Sequence, residues 1–201
     1  MARAVIFDVG MVLYHWSPRL LYERLIPDGE ALDAFLRDVV TTEWHFQHDA
    51  GHPFAETSVE LVARFPHHAE LIGHWGPRFM ESIGPAIPGM TDIVEELDTH
   101  GVPLFAITNF SGEFWPPFRA REARLFDRFR DIVVSGDERL TKPDRAIYRL
   151  ALDRFGLTPA QSVFVDDNDA NVASAAALGI HAILFTDADA LRAELVALGL
   201  L

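Results

Sequence analysis

The stretch 4-AVIFDVG-10 sets the fold. Four consecutive apolar residues, 4–7, run into a carboxylate, Asp8, and then into Gly10. A short apolar run without polar alternation is the pattern of a strand covered on both faces, the situation of a parallel sheet with helices above and below it. Four further runs read the same way: 104-LFAIT-108, 131-DIVV-134, 162-SVFV-165 and 182-AILF-185. Helical stretches lie between them. Residues 91–100 place Ile93, Val94 and Leu97 on one face and stop at Gly101. Residues 144–155 do the same with Ile147, Leu150, Ala151 and Phe155 and stop at Gly156. The Ala-rich 171–178 stops at Gly179. This alternation predicts a doubly wound α/β fold with a five-stranded parallel sheet.

Residues 17–85 break the alternation. They hold no clear buried strand but carry helical periodicity, in Leu20, Leu21 and Leu25, then Leu32, Phe35, Leu36, Val39 and Val40, and again over 58–65 and 71–80. The hinge 85-PAIPGM-90 returns the chain to the sheet. The expected organisation is a core of residues 1–16 and 86–201, with an all-helical cap, 17–85, inserted after the first strand. A cap there would cover the strand ends, the edge at which open α/β sheets bind ligands.

Bulk properties narrow the class. The chain has 201 residues, 49% of them hydrophobic and 23% charged, which supports a packed core rather than disorder. A net charge of −13 argues against a nucleic-acid partner, because phosphate neutralisation needs a basic surface. Without cysteine, disulfides and thiolate metal sites are excluded. No apolar stretch reaches the ~18–20 residues that span a bilayer, and no signal-peptide pattern opens the chain. A soluble, cytoplasmic enzyme with no membrane partner is the expectation.

The strand ends carry the chemistry. Asp8 closes the first strand, and a carboxylate there can attack phosphorus and form an aspartyl-phosphate; a polar turn residue is the simpler alternative. Gly10 lets the backbone turn and can offer its carbonyl to an ion. Asp166-Asp167 follow VFV directly, and adjacent carboxylates call for a cation, with hard oxygen ligands favouring Mg²⁺. One of them could instead cap the next helix, a role for which Asn168, Asp169 and Asn171 compete. Lys142, before Pro143 at an expected first helical turn, can hold Asp8 and the phosphoryl oxygens, or be an ordinary surface lysine. Thr108 and Asn109 can bind phosphate oxygens, or merely end a strand. Asp8, Asp166 and Asp167 against Lys142 leave about −2 at one sheet edge, so a phosphate substrate would need a divalent cation beside it.

These four segments in this order resemble the haloacid dehalogenase-like hydrolase superfamily, in its branch with a small helical cap after the first strand. FDVGMVL, EWHFQHDAG, LTKPDRAIYRLAL and VFVDDNDANVASAAALGI are most similar to bacterial sugar-phosphate phosphatases of the alpha-glucose-1-phosphatase type. The resemblance implies Asp8 as nucleophile, a metal held by Asp8, the Gly10 carbonyl, Asp167 and Asp166, and phosphate held by Thr108, Asn109 and Lys142. It implies a Mg²⁺-dependent phosphatase acting on a small phosphorylated metabolite, a sugar phosphate foremost. Gly10 departs from the pattern, since most phosphatases of the superfamily carry an Asp there that protonates the leaving alkoxide. Losing such a group costs about 10²–10⁴-fold, so the sequence predicts a preference for easy leaving groups. His15 is a conceivable replacement.

The resemblance also admits a 2-haloacid dehalogenase, which uses the same aspartate without metal and lacks the second Asp. It would need a cap arginine, for which Arg19, Arg24 and Arg37 are available, and it would bring Tyr148 into the site. The retained Asp166-Asp167 pair favours the phosphatase. A non-catalytic binder of a phosphometabolite is a third reading. In the cap, Trp44 is expected to stack on a substrate ring while Gln47 or His48 meets hydroxyls; packing of Trp44 between cap and core is the alternative. His45, His48 and His52 share a helical spacing, but Gly51 and Pro53 speak against a metal site there. Trp115-Pro116-Pro117 reads as a rigid loop near the site entrance, with Phe114, Trp115 and Phe118 sealing cap against core or, as the alternative, lining the pocket.

Overall fold

The computed structural model describes residues 4–201. Seven strands are present among the described residues: β1 Ala4–Phe7, β2 Tyr14–Trp16, β3 Ile83–Ala86, β4 Leu104–Thr108, β5 Asp131–Val134, β6 Ser162–Asp166 and β7 His181–Leu184. Five of them form one parallel sheet in the order β5-β4-β1-β6-β7. These are the five strands predicted, with β6 running one residue longer and β7 starting one residue earlier. Residues 1–3 of the expected core segment lie outside the described residues.

The order puts β1 in the middle. Phe7 pairs with Ala106 on one side and Val165 on the other. Asp8 N–H donates to the Val165 carbonyl at 2.8 Å. Asp8 therefore leaves the sheet between the ends of β4 and β6, where Thr108 and Asp166 stand. Helices cover both faces. Met90–Thr99 and Ala188–Ala197 bury Ile93, Val94, Leu97, Leu191 and Leu195 on one side. Arg145–Phe155 and Asp169–Ala176 bury Ile147, Ala151 and Ala175 on the other. Gly156 ends its helix at φ +66, the left-handed backbone that glycine adopts without Cβ strain.

Six α-helices fill the segment between β2 and β3: Pro18–Tyr22, Gly29–Asp38, Thr42–Asp49, Phe54–Arg64, Ala69–Gly73 and Trp75–Arg78. One expectation is corrected here. The segment is not purely helical at its ends, because β2 and β3 pair antiparallel into a small two-stranded sheet through Tyr14↔Ala86 and Trp16↔Ile83. Three residues of β2, and a Gly-Pro pair inside β3, are too little for a strand periodicity to show. The interior of this segment is aromatic. Tyr22 stacks with Trp75 at 6.0 Å and Trp75 meets Phe79 edge-on at 5.4 Å. Phe79 then stacks on Phe114 at 4.4 Å, which makes the expected seam, and one hydrophobic cluster runs from Trp75 to Phe7.

Two local readings also change. Trp115-Pro116-Pro117 is the first turn of a helix, Trp115–Arg121, rather than a loop; proline is tolerated where the N–H would have no helical partner. Pro143 lies before the next helix, whose N-cap is Asp144, with its side chain accepting from Ala146 N–H at 2.9 Å. No helix among the described residues is long and apolar enough to cross a membrane.

Candidate active site

Lys142 is the centre of the charged cluster. Its side chain is fully buried, with Nζ 2.8 Å from Asp8 Oδ1 and 2.7 Å from Asp166 Oδ2. Burial alone would lower the lysine, but the Asp8 and Asp166 charges outweigh it and hold its pKa raised. Burial raises Asp8, with the Asp166 charge adding to it and Lys142 pulling the other way. Asp166 is saturated by protein donors. Its Oδ1 accepts from Asn168 N–H and Asn171 Nδ2, both at 2.9 Å, and its Oδ2 takes Lys142 and Asn171 Nδ2 at 3.1 Å. Asp167 is exposed, and its carboxyl is raised first by partial burial and then by Asp166. Asp8, Asp166 and Asp167 offer oxygens within 4.8 Å of one another, the one such acidic or histidine trio among the described residues. An all-carboxylate donor set suits a hard divalent cation such as Mg²⁺. The capping role weighed for the Asp pair belongs to Asn168, which accepts from Ala170 and Asn171 N–H.

Thr108 ends β4 beside this cluster. Its hydroxyl is buried and has no hydrogen-bond partner, which leaves it available to an oxyanion. Asn109 has a structural role that the sequence did not suggest. Its Oδ1 accepts from Lys142 N–H at 2.9 Å and its Nδ2 donates to the Lys142 carbonyl at 3.0 Å. The side chain expected to bind phosphate lines the cavity and also fixes the backbone that carries Lys142. Below the cluster, the Tyr148 hydroxyl donates to the Asn171 carbonyl at 3.0 Å and its ring meets Phe164 edge-on. Tyr148 is core, supporting the helix that brings Asn171 to Asp166.

A cavity of about 170 Å³ is lined by the residues that directly follow Asp8 in the chain, Val9 to Met11. Val9, Gly10 and Met11 form its floor, Trp16 and Ile83 come from the two-stranded sheet, and Phe110 and Phe118 come from the core. From the helical segment come Thr42, His45, Phe46, Asp49 and Phe79. Trp44, Gln47 and His48 are not on this wall. The Trp44 ring is buried, with Nε1 donating to the Thr57 carbonyl at 3.2 Å, and His48 Nε2 lies 2.7 Å from Thr57 Oγ1. The helix Thr42–Asp49 thus turns Trp44 and His48 into the helical segment and His45 and Asp49 toward the cavity.

Other expected residues also settle outside. His15 is exposed: β2 points Tyr14 and Trp16 at the cavity, so the residue between them faces away. Arg19 pairs with Asp33, Arg24 with the half-buried Glu81 and Arg37 with Asp38, and all three arginine side chains are exposed. Three residues at the site escaped the sequence reading. Asn171 looked like a capping residue, Ser135 gave no signal, and Asp49 was hidden in a polar helix end.

Comparison with known proteins agrees with this geometry. The family profile described as haloacid dehalogenase-like hydrolase matches residues 2–179. Acyl-CoA dehydrogenase family member 10 of Mus musculus is 31% identical over 205 residues, covering 90% of this chain but only 18% of its own length. This chain therefore spans under a fifth of that relative. Sesquiterpene phosphatase astK of Aspergillus oryzae is 28% identical over 199 residues, 96% of this chain and 94% of its own. Phosphoglycolate phosphatases and a 2-haloacid dehalogenase also match, some over about half of this chain. A magnesium complex of a HAD family enzyme from Bacteroides thetaiotaomicron shares the fold, with a TM-score of 0.70 at 17% identity over 92% of this chain and 94% of that one.

Proposed function

Because this chain belongs to the haloacid dehalogenase-like hydrolases, we propose that it is a Mg²⁺-dependent phosphatase that cleaves small organophosphates through an aspartyl-phosphate on Asp8. The observation that carries this is the acidic trio gathered around Lys142, with Asp166 saturated by protein donors and Asp167 left open. Asp8, Asp167 and the Gly10 carbonyl would hold the cation, with Asp166 behind them. Bound there, Mg²⁺ would supply the positive charge that lets a phosphate approach three carboxylates. Asp8 attacks phosphorus, Lys142 orients Asp8, and the unpartnered Thr108 hydroxyl donates to a phosphoryl oxygen. Residues 17–85 act as the cap that covers the site.

The cavity bears on the substrate. A sugar, expected from the sequence, would set its hydroxyls against Trp16, Phe46, Phe79, Phe110 and Phe118. Such walls favour an apolar organic group, and the volume exceeds the roughly 150 Å³ that accepts benzene in an engineered apolar cavity. A sesquiterpene phosphatase among the relatives points the same way. The dehalogenase reading lacks its cation, since no arginine lines the cavity.

The test is product release from benzyl phosphate, alpha-glucose 1-phosphate and 2-chloropropionate, each with Mg²⁺ and with EDTA, beside Asp8→Asn. Phosphate release that needs Mg²⁺ and Asp8, faster from benzyl phosphate, is expected. Metal-independent chloride release would establish the dehalogenase instead. Phosphate-ester binding without turnover would leave a non-catalytic binder.

A further inference from the structure

Gly10 stands where an acid is expected, yet the space for one is present. A Cβ built on Gly10 meets nothing within 4 Å, and its backbone is not left-handed. Neither sterics nor a turn forces glycine there. Hydrolysis of an alkyl phosphate still needs a proton on the departing oxygen, so another group must bring it.

Three cavity residues have titratable side chains: Tyr14, His45 and Asp49. The Tyr14 hydroxyl donates to Glu122 Oε2 at 3.0 Å, and burial and that carboxylate raise its pKa further. It is a committed and poor acid. His45 is stacked on Trp16 at 4.6 Å and on Phe79 at 5.8 Å. Burial pushes its pKa down to about 3, with His48 adding to the shift, so it is a neutral imidazole with no proton to spare.

Asp49 remains. It is 6% exposed, and its Oδ1 has no hydrogen-bond partner. His45 Nε2 lies 3.5 Å from the other oxygen, Oδ2. Its backbone is clamped to the strand ends: Ser135 Oγ, just past β5, donates to the Asp49 carbonyl at 2.6 Å and accepts from Phe110 N–H at 3.0 Å. Gly51 secures the clamp, since at φ +89 a Cβ there would lie 2.7 Å from the Gly136 carbonyl oxygen. The loop after β4 and the last turn of the helix Thr42–Asp49 are therefore tied through one serine.

We propose that Asp49 is the catalytic acid of this enzyme, donating the proton to the leaving oxygen from the cap side of the cavity in place of an acid at position 10. The assignment rests on the phosphatase reading above. In the first step an Asp8 oxygen forms a bond to phosphorus while the phosphorus–ester oxygen bond breaks. The bond pair goes to that oxygen, which takes the Asp49 proton and leaves as the alcohol. In the second step the Asp49 carboxylate accepts a proton from water as the water oxygen attacks phosphorus. The Asp8–phosphorus bond breaks, inorganic phosphate leaves, and both carboxyl groups return to their starting states. The resting state suits this cycle, because burial, then the Asp8 charge, push Asp49 up to about 8 against the pull of Lys142. It holds its proton at neutral pH, and an apolar cavity favours keeping it.

The test compares wild type, Asp49→Asn and the double variant Gly10→Asp/Asp49→Asn on two esters with Mg²⁺ present. Benzyl phosphate has a leaving group that needs protonation, and p-nitrophenyl phosphate has one that does not. In kcat/KM, which reports only the step that expels the alcohol, Asp49→Asn is expected to lose about 10²–10⁴-fold on benzyl phosphate and under about tenfold on p-nitrophenyl phosphate. The double variant is expected to regain at least about tenfold on benzyl phosphate. Equal losses on both esters, or none on benzyl phosphate, would overturn the assignment. If Asp49→Asn does not fold, the wild type alone is read: kcat/KM values for the two esters within about tenfold support an internal acid, and a gap above about 10³-fold overturns it. A wild type that releases phosphate from neither ester overturns the phosphatase reading itself and the assignment with it.

Discussion

The Asn109 side chain grips the backbone of Lys142 from both sides, accepting from its N–H at 2.9 Å and donating to its carbonyl at 3.0 Å. The grip ties the end of β4 to the loop that delivers the buried ammonium. Asn109 therefore also acts through Lys142, beside any contact its amide makes from the cavity wall.

Asn109→Ala should then cost both stability and rate. Two part-buried hydrogen bonds are worth about 1–3 kcal/mol together, and a loosened Lys142 would misplace Asp8, lowering kcat by about 10²-fold. Urea unfolding and steady-state kinetics check this. A raised KM at unchanged stability would mean that the amide binds substrate after all.

Lys142→Met removes the ammonium from between Asp8 and Asp166, which lie on its two sides at 2.8 and 2.7 Å. Loss of one partner from such a buried set costs about 3–5 kcal/mol. The pH sign follows from the carboxyls. Burial and mutual repulsion already raise Asp8, and without Lys142 its folded pKa stands still further above its unfolded value. The folded state then keeps a proton that the unfolded state releases above about pH 4, so stability falls as pH rises from there. Tm measured without metal should drop less at about pH 5 than at about pH 8, and Mg²⁺ should recover part of the loss.

The sheet was legible because buried parallel strands write themselves as unbroken apolar runs, and Asp8, Thr108 and Asp166-Asp167 stood out because they sit where those runs end, whereas Lys142 lies in a loop eight residues past β5. The helix Thr42–Asp49 was not. It buries Trp44, His45, His48 and Asp49 on two different sides, so periodicity could not say which side met the cavity, and the eye went to Trp44. Asp49 carries no local signal either. Its environment is made by Ser135, 86 residues away in sequence, and by the close pass of Gly51 over Gly136.

His45 and His48 predict how the fold responds to acid. Burial is the first cause in both, and it lowers them to about 3 and about 4. In the unfolded chain they take protons near about 6.5. Between those values the unfolded state binds more protons, so stability is full above about pH 6.5 and is lost as pH falls toward 4. The slope is at most about 1.4 kcal/mol per pH unit for each histidine. His48→Gln keeps a partner for Thr57 Oγ1, now 2.7 Å from Nε2, and should flatten the Tm profile over that window. An unchanged profile would show that His48 is protonated in the folded protein.

Phe46 offers the cleanest probe of what the cavity holds. It lines the wall yet is 41% exposed, whereas Phe79 on the same wall is stacked on Phe114 at 4.4 Å within the core. Phe79→Ala would cost about 3–5 kcal/mol and confuse folding with binding. Phe46→Ala should stay within about 0.5 kcal/mol of wild-type stability. If the cavity takes an apolar group, the variant loses about 1 kcal/mol of contact with it, raising KM for benzyl phosphate about fivefold. Acetyl phosphate, too small to reach Phe46 at the cavity mouth, should keep its KM. Equal changes for both substrates would place the organic group elsewhere and return the sugar phosphate to first place.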